Sequence, residues 1–380
     1  MFKTLRASLL LTAAVAQPAA LAQVAGTESL EELEEVVVVG RLPGPPLWKV
    51  TNGDHVLWIL PLINMYPKKM EWESARVEAL IAQSEEYIER PRAVQGISTA
   101  NPLTLLRVAG LARRGPRLPD GQTLADVLPA ELHRRYSVLK ARYLPRNTSI
   151  ETMTISAAGG QLQRQILDQE NLETLSYNRV DSPQLITDKL RQWLKRNKTI
   201  RRTNPTHGTM HAISGKDIKM VRNALEEAST SAAFGSWEAA CFEKIVAYFE
   251  NDLEPVKKRA NAWAQGQADD LIDPTPLRGR SDACSKPPVV PEGNPAMAKL
   301  RNENPGLVAM LNNDRSDAER ISREKWLAAA EAALAGNATT FSMLAVSDIL
   351  DEGGLVSRLK AKGYSVEISA ESPQGIRPAQ

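Results

Sequence analysis

Between Thr339 and Ile368 the chain reads TTFSMLAVSDILDEGGLVSRLKAKGYSVEI, and this stretch narrows the fold more than any other. Phe341–Val346 is short, apolar and bounded by turn formers, as a strand is. Leu355, Val356 and Leu359 then recur at helical spacing. Gly363 closes that helix, and Tyr364–Ile368 alternates like a second strand. In strand–helix units, function sits where the carboxyl end of a strand meets the next helix. Here that place is Ala345-Val346-Ser347-Asp348. The residue pattern by itself names no reaction.

The chain's 380 residues suffice for one large domain or two ordinary ones, and 43% apolar with 24% charged residues is a globular composition. The first 22 residues stand apart. Lys3 and Arg6 precede the apolar run Leu9–Ala16, and Ala20-Leu21-Ala22 forms a small-x-small cleavage site. These are the marks of a secretory signal peptide over residues 1–22, with an apolar run too short to span a bilayer. Cleavage after Ala22 and a periplasmic location are expected, with no lipid anchor because no Cys follows directly. Removing this segment takes the balance of 47 basic against 45 acidic residues to parity. No overall electrostatic case for nucleic acid remains, and no later run is long enough to be a transmembrane segment.

Cys241 and Cys284 are the only cysteines. In an oxidising compartment they are expected to pair, closing a loop of about 44 residues and stabilising by ~3–4 kcal/mol. Two cysteines alone do not make a zinc site.

Residues 23–46 look like an extended segment or linker. Glu31–Glu35 is acidic, Val36–Val39 is a bare β-forming tetrad, and Pro43-Gly44-Pro45-Pro46 is a stiff break. The valine run resembles the opening of many TonB-dependent transporters, but no barrel pattern follows. From Leu47 the pattern is β: Leu47–Val50, a turn at Asn52-Gly53-Asp54, then Val56–Ile63. A short helix, Ser74–Gln83, leads to a strand over Glu86–Glu89. Residues 101–311 are expected to be mostly helical, with loops at 114–120, 145–150, 199–216 and 270–292. Phe242, Ile245, Val246 and Phe249 mark one apolar helix face. Trp193, Trp237 and Trp263 are read as packing residues rather than a ligand platform. Trp326, Leu327, Ala330, Ala333 and Leu334 form the last long amphipathic helix, and 370–380 is a disordered tail. The expected fold is therefore mixed α/β (α+β). Strands near both ends of the mature chain build one central sheet around a large helical middle section.

Two blocks of residues carry a family resemblance. Leu47-Trp48-Lys49-Val50, Leu57–Pro67 and Trp72 form one. Arg323, Trp326-Leu327 and Phe341–Val366, with Gly354, Leu359, Gly363 and Tyr364, form the other. Together they cover about a third of the chain and resemble the TraB/GumN family, relatives of the Tiki proteins. The resemblance implies a single domain over 47–369 with a helical insertion at about 101–311, related to erythromycin-esterase-like and ChaN-like folds. It also implies two GxxH motifs, one per end, closing strands that point into a shared cleft. In the Tiki branch that cleft supports divalent-metal-dependent peptidase activity.

This chain departs from the pattern where chemistry would lie. The first motif falls on Pro61-Leu62-Ile63-Asn64 and the second on Ala345-Val346-Ser347-Asp348, so Asn64 and Asp348 replace both histidines. The family's acidic residue aligns with Arg90, and Glu89 is one position away, which in a strand turns it to the other face. Arg323 is the nearest match to the family's helix-start arginine. Asn64 and Asp348 offer hard oxygen ligands suited to Mg²⁺, Ca²⁺ or Mn²⁺, but one amide and one carboxylate make a weak metal site. The plainer readings are a turn former at Asn64 and a cap or loop acid at Asp348.

Other motifs are weaker. His207 and His211 have the i, i+4 spacing of a helical metal pair, yet Asn204-Pro205 and Gly208 surround them with loop chemistry. His55 and His133 are isolated. Seven of the fourteen residues from Lys189 to Arg202 are basic, as a solvated face is. No phosphate loop, GxSxG elbow or Cys/His nucleophile arrangement occurs.

Three functions are compatible with these residues. The first is an exported, catalytically degenerate family member that keeps a cleft for binding, with no cofactor. The second is a metal-dependent hydrolase using Asn64, Asp348 and Glu89. The third is an envelope interaction protein that offers Val36–Val39 to a partner protein or polymer.

Overall fold

A computed structural model describes residues 42–68, 70–99, 101–104, 117–118, 121–174, 192, 196, 199–229, 232–251, 253–271, 295–311 and 315–369. The chain divides into two units, Met1–Gly40 and Arg41–Gln380, and every described residue belongs to the second. Residues 1–22, expected to be a signal peptide, and Val36–Val39, Trp193, Cys284 and residues 370–380 lie outside the described residues.

The elements follow one another as β1 (Leu47–Asn52), β2 (His55–Leu62), β3 (Met65–Pro67), α1 (Ala75–Gln83), β4 (Glu86–Ile88) and β5 (Ala93–Ser98). Then come α2 (Leu124–Val127), α3 (Ala130–Tyr143), α4 (Ile155–Gln169), β6 (Leu172–Thr174), β7 (Arg201–Thr203) and β8 (His207–Ala212). The chain continues through α5 (Gly215–Ser229), α6 (Ala232–Asn251), α7 (Leu253–Ala264), α8 (Pro295–Glu303), α9 (Pro305–Leu311) and α10 (Ser316–Gly336). It ends with β9 (Thr339–Ala345), α11 (Val346–Leu350), α12 (Leu355–Ala361) and β10 (Ser365–Ser369).

The central sheet has six strands in the order β10-β1-β2-β9-β4-β7. β1 pairs antiparallel with both β10 and β2, whereas β2, β9, β4 and β7 run parallel. Strands from both ends thus meet in one sheet, as the sequence pattern predicts. The turn after β1 is tight, with Asn52 opposite His55. Gly363 supplies the left-handed residue (φ +94°) that ends α12 and returns the chain as β10.

Several elements differ from the sequence-based expectation, which has no strand at β5 or β6. Residues 201–203 and 207–212 are strands, not loop. β7 extends the central sheet beside β4, and β8 pairs in parallel with β5 as a separate ribbon. The segment RRTNPTHGTMHA lacks the run of β-branched and aromatic residues that marks a strand, so its pairing comes from tertiary partners. Finally, Val346, read as the last residue of the strand Phe341–Val346, instead begins a short helix, Val346–Leu350, in place of the expected turn.

The buried apolar residues gather in three clusters. The first joins the sheet to α1, α7, α10 and α12 through residues such as Ile59, Phe341, Trp263, Trp326 and Leu359. The second lies within the helical middle and contains Tyr136, Leu162, Phe242, Val246 and Phe249. The third packs α5, α8 and α9 through Ile218, Leu300 and Leu307. Helix α7 belongs to two of them, with Leu253 and Val256 in the helical cluster and Ala260 and Trp263 in the sheet cluster.

Several polar groups inside the sheet cluster bind one another across elements. Trp326 Nε1 donates to Ser342 Oγ (3.2 Å), which donates to the Ile88 carbonyl (2.8 Å) and so ties α10, β9 and β4 together. Glu86, buried at the amino end of β4, accepts from Arg201 Nη2 (2.5 Å), Asn337 Nδ2 (2.7 Å) and Thr203 Oγ1. Burial pushes this carboxyl up, but those hydrogen bonds and the Arg201 charge together hold it below the usual 4.5. A depressed glutamate stabilises the fold above its unfolded pKa and loses that contribution as pH falls through its folded one. Acid unfolding monitored by circular dichroism should therefore show a steeper loss of stability below about pH 4.5 in the native protein than in Glu86→Gln. Equal pH slopes in the two proteins would refute this role.

Candidate functional site

β2 and β9 end side by side, with Leu62 opposite Ala345 in the parallel register. Their carboxyl ends are where an open parallel sheet offers a ligand site. β4 stops earlier, with Ile88 opposite Ser342, and residues 89–92 carry the chain onward to β5. Asn64 follows β2, Asp348 follows β9, and Glu89-Arg90 follows β4, so three of the four sequence-derived candidates come after the carboxyl ends of parallel strands.

The β2 end is fixed by aromatic packing. Trp263 is fully buried, and its Nε1 donates to the Pro61 carbonyl at 2.8 Å. Tyr66 and Trp72 each meet its ring edge-on, with centroids 5.3 Å away. The Tyr66 hydroxyl accepts from the Ile63 amide (2.9 Å) and shapes the turn on which Asn64 stands exposed. Asn64 thus occupies the turn-former role.

Around Asp348 the arrangement is electrostatic. A cavity of about 360 Å³ lies between the segment Pro91–Val94, the first half of α10 and α11. Asp348 lines it together with Arg92, Arg315, Glu319, Ser322 and Arg323. Arg323 Nη1 donates to Asp348 Oδ1, and Nη2 reaches the Gly353 carbonyl at 3.2 Å. The Asp348 side chain is 17% exposed and that of Arg323 33%. Gly354 allows the chain to wrap this closely, because a Cβ there would lie 2.7 Å from the carbonyls of Asp348 and Asp351. Burial pushes the Asp348 carboxyl up, and the charges of Arg323 and Arg90 pull it only part of the way back.

The structure therefore unites two sequence candidates, Arg323 and Asp348, and sets the other two apart. Asn64 and Glu89 do not line the cavity. Glu89 follows Ile88 with its amide bonded to the Thr203 carbonyl (2.9 Å), short of the level where β2 and β9 end. Arg92 and Arg315 line the cavity without having been singled out from the sequence. The signal available was the run Glu89-Arg90-Pro91-Arg92, two arginines framing a proline straight after a strand.

These residues fit a divalent cation poorly. Asp348 is already paired with Arg323 and faces Arg90, so a metal there would sit among guanidinium charges. Among the described residues no three His, Cys, Asp or Glu side chains gather as a metal group. His207 and His211 lie on β8 rather than a helix, where four residues span about 13 Å and one ion cannot bridge them. His207 Nδ1 instead lies 3.5 Å from Lys325 Nζ. Of the basic residues in the run Lys189–Arg202, Arg196, Arg201 and Arg202 are described; Arg196 pairs with Glu78 (3.8 Å) and Arg201 with Glu86. Cys241 is partly buried against the helical cluster. No described helix is long and apolar enough to cross a membrane.

Removing one member of the charge pair should expose its energetics. Arg323→Met leaves a largely buried carboxylate without its main partner and should cost about 1–3 kcal/mol in denaturant unfolding at neutral pH. Asp348 has a raised pKa, so its charge opposes folding at neutral pH, and that penalty fades as pH falls through the raised value. The Arg323→Met deficit should accordingly shrink on acidification. A deficit independent of pH would refute the pairing as its cause.

A family model described as the TraB/PrgY/gumN family matches residues 46–368. No curated protein matches the chain, and no solved structure does.

Proposed function

The chain belongs to the TraB/PrgY/gumN family, and from that premise we propose that it is an exported, catalytically degenerate member that keeps a cleft for binding. The observation that carries this reading is the Asp348–Arg323 ion pair. The residue in the second histidine position is committed to a guanidinium, which leaves it a poor metal ligand and a poor base. Asn64, in the first position, stands exposed on a turn outside the cavity. Arg90, in the position of the family's acid, adds positive charge where a metal site needs negative. Each change argues against metal-assisted hydrolysis, and together they leave a cleft with an arginine-rich wall.

Export rests on the amino-terminal pattern of Lys3, Arg6, Leu9–Ala16 and Ala20-Leu21-Ala22, and places the protein in the periplasm. The oxidising setting supports a Cys241–Cys284 disulfide tethering the segment between α7 and α8.

Two measurements test the reading. Purified protein should contain no stoichiometric divalent ion and should hydrolyse no member of a peptide and ester panel with Mg²⁺, Mn²⁺, Ca²⁺ or Zn²⁺ supplied. Metal-dependent turnover abolished by Asp348→Ala would overturn it. Mass spectrometry of periplasmic material should give a chain beginning at Gln23, with Cys241 and Cys284 resistant to alkylation until reduced. Two freely alkylated thiols would overturn the disulfide.

A further inference from the structure

We propose that the cavity beside Asp348 binds a small organic anion, a carboxylate or a phosphate monoester with a short apolar part, whose charged group is held by Arg315 and Arg92. The inference rests on the reading of this site as a binding cleft and names its ligand class.

The charges in the cavity are not equivalent. Arg323 is committed to Asp348. Arg92 and Arg315, by contrast, have no side-chain hydrogen bond or ion pair among the described residues, although both line the cavity. Arg315 goes further, because its Nε is buried and has no hydrogen-bond partner. A guanidinium nitrogen removed from water and left unsatisfied is costly, and an anion supplies the missing acceptor. The planar fork of an arginine suits the two oxygens of a carboxylate or phosphate.

Placement within the fold supports the same chemistry. Arg315 is the N-cap residue of α10, and no side chain caps that 21-residue helix. The field at its amino end favours negative charge and adds to that of the two arginines. Two acidic residues line the cavity: Asp348, whose charge is paired with Arg323, and Glu319, which is exposed to solvent that screens it. The segment Pro91, Ala93 and Val94 contributes an apolar surface on the other side. A volume of about 360 Å³ fits a ligand of modest size. Further buried polar atoms without hydrogen-bond partners among the described residues occur on β8, which α10 packs against, namely Thr209 Oγ1 and His211 Nε2, and just before it at Thr206 Oγ1.

Isothermal titration calorimetry of the purified chain with phenyl phosphate and with benzoate tests this, with benzyl alcohol as the neutral control. At least one anion should bind, more weakly as salt is raised, and benzyl alcohol should not. Which anion binds tells phosphate from carboxylate ligands. Arg315→Gln and Arg92→Gln should each weaken the binding by about tenfold or more, with circular dichroism confirming the fold. If Arg315→Gln does not fold, Arg92→Gln and the salt dependence carry the test. Absence of binding by both anions, equal binding of benzyl alcohol, or unchanged affinity in the folded variants would overturn the proposal. Hydrolysis is scored separately in the panel described above, so failure of the ligand class is told apart from failure of the non-catalytic reading.

Discussion

The parallel pairing of β2 with β9 is the contact on which the rest of this structure depends. Seven consecutive residue pairs, from Val56–Thr339 to Leu62–Ala345, join segments that lie near opposite ends of the sequence. Most of their side chains are buried, with Val56, Trp58, Thr339 and Ala345 partly so, and the pairing is also the centre of the sheet cluster. Every other strand of the sheet attaches to one side of this pair or the other. Closing so long a loop costs entropy that only burial on both faces can offset. Folding dominated by such a contact is expected to be slow, since the middle of the chain must be spanned before the pair is rewarded.

Much of this architecture is legible in the sequence because the decisive elements carry strong patterns. β2 is apolar from Val56 to Leu62, β9 is apolar from Phe341 to Ala345 apart from Ser342, and the buried face of α10 repeats Trp326, Leu327, Ala330, Ala333 and Leu334 at helical spacing. α6 likewise shows its buried stripe of Phe242, Val246 and Phe249. Three of the strands that escaped, β5, β7 and β8, have residues with little strand preference of their own. Their extended form is imposed by β4 and by one another. A related blindness affects α11, where five residues after a strand carry too little periodicity to separate a helical turn from a loop.

The site was legible in part. A resemblance at both chain ends led to Asp348 and Arg323, and these meet in an ion pair. It also led to Asn64 and Glu89, which the cavity does not include. Alignment along a sequence assigns positions to strand ends but does not say how far each strand reaches. β4 ends three residues lower on β9 than β2 does, and that stagger leaves Glu89 short while Arg92 arrives. Arg315 was invisible for a different reason. Its role comes from an unsatisfied buried atom, a property of packing that no local pattern encodes.

Helix α7 gives the middle section a mechanical link to the sheet edge. Its first turns are anchored among the helices, and at its far end Trp263 grips the Pro61 carbonyl at the rim of β2. Rigid packing of this kind transmits displacement rather than absorbing it. A partner that docks on the helical section and tilts α7 would therefore move the edge of the sheet with it. The insertion then becomes a lever on the sheet edge where β2 lies beside the end of β9, one helical turn before Asp348.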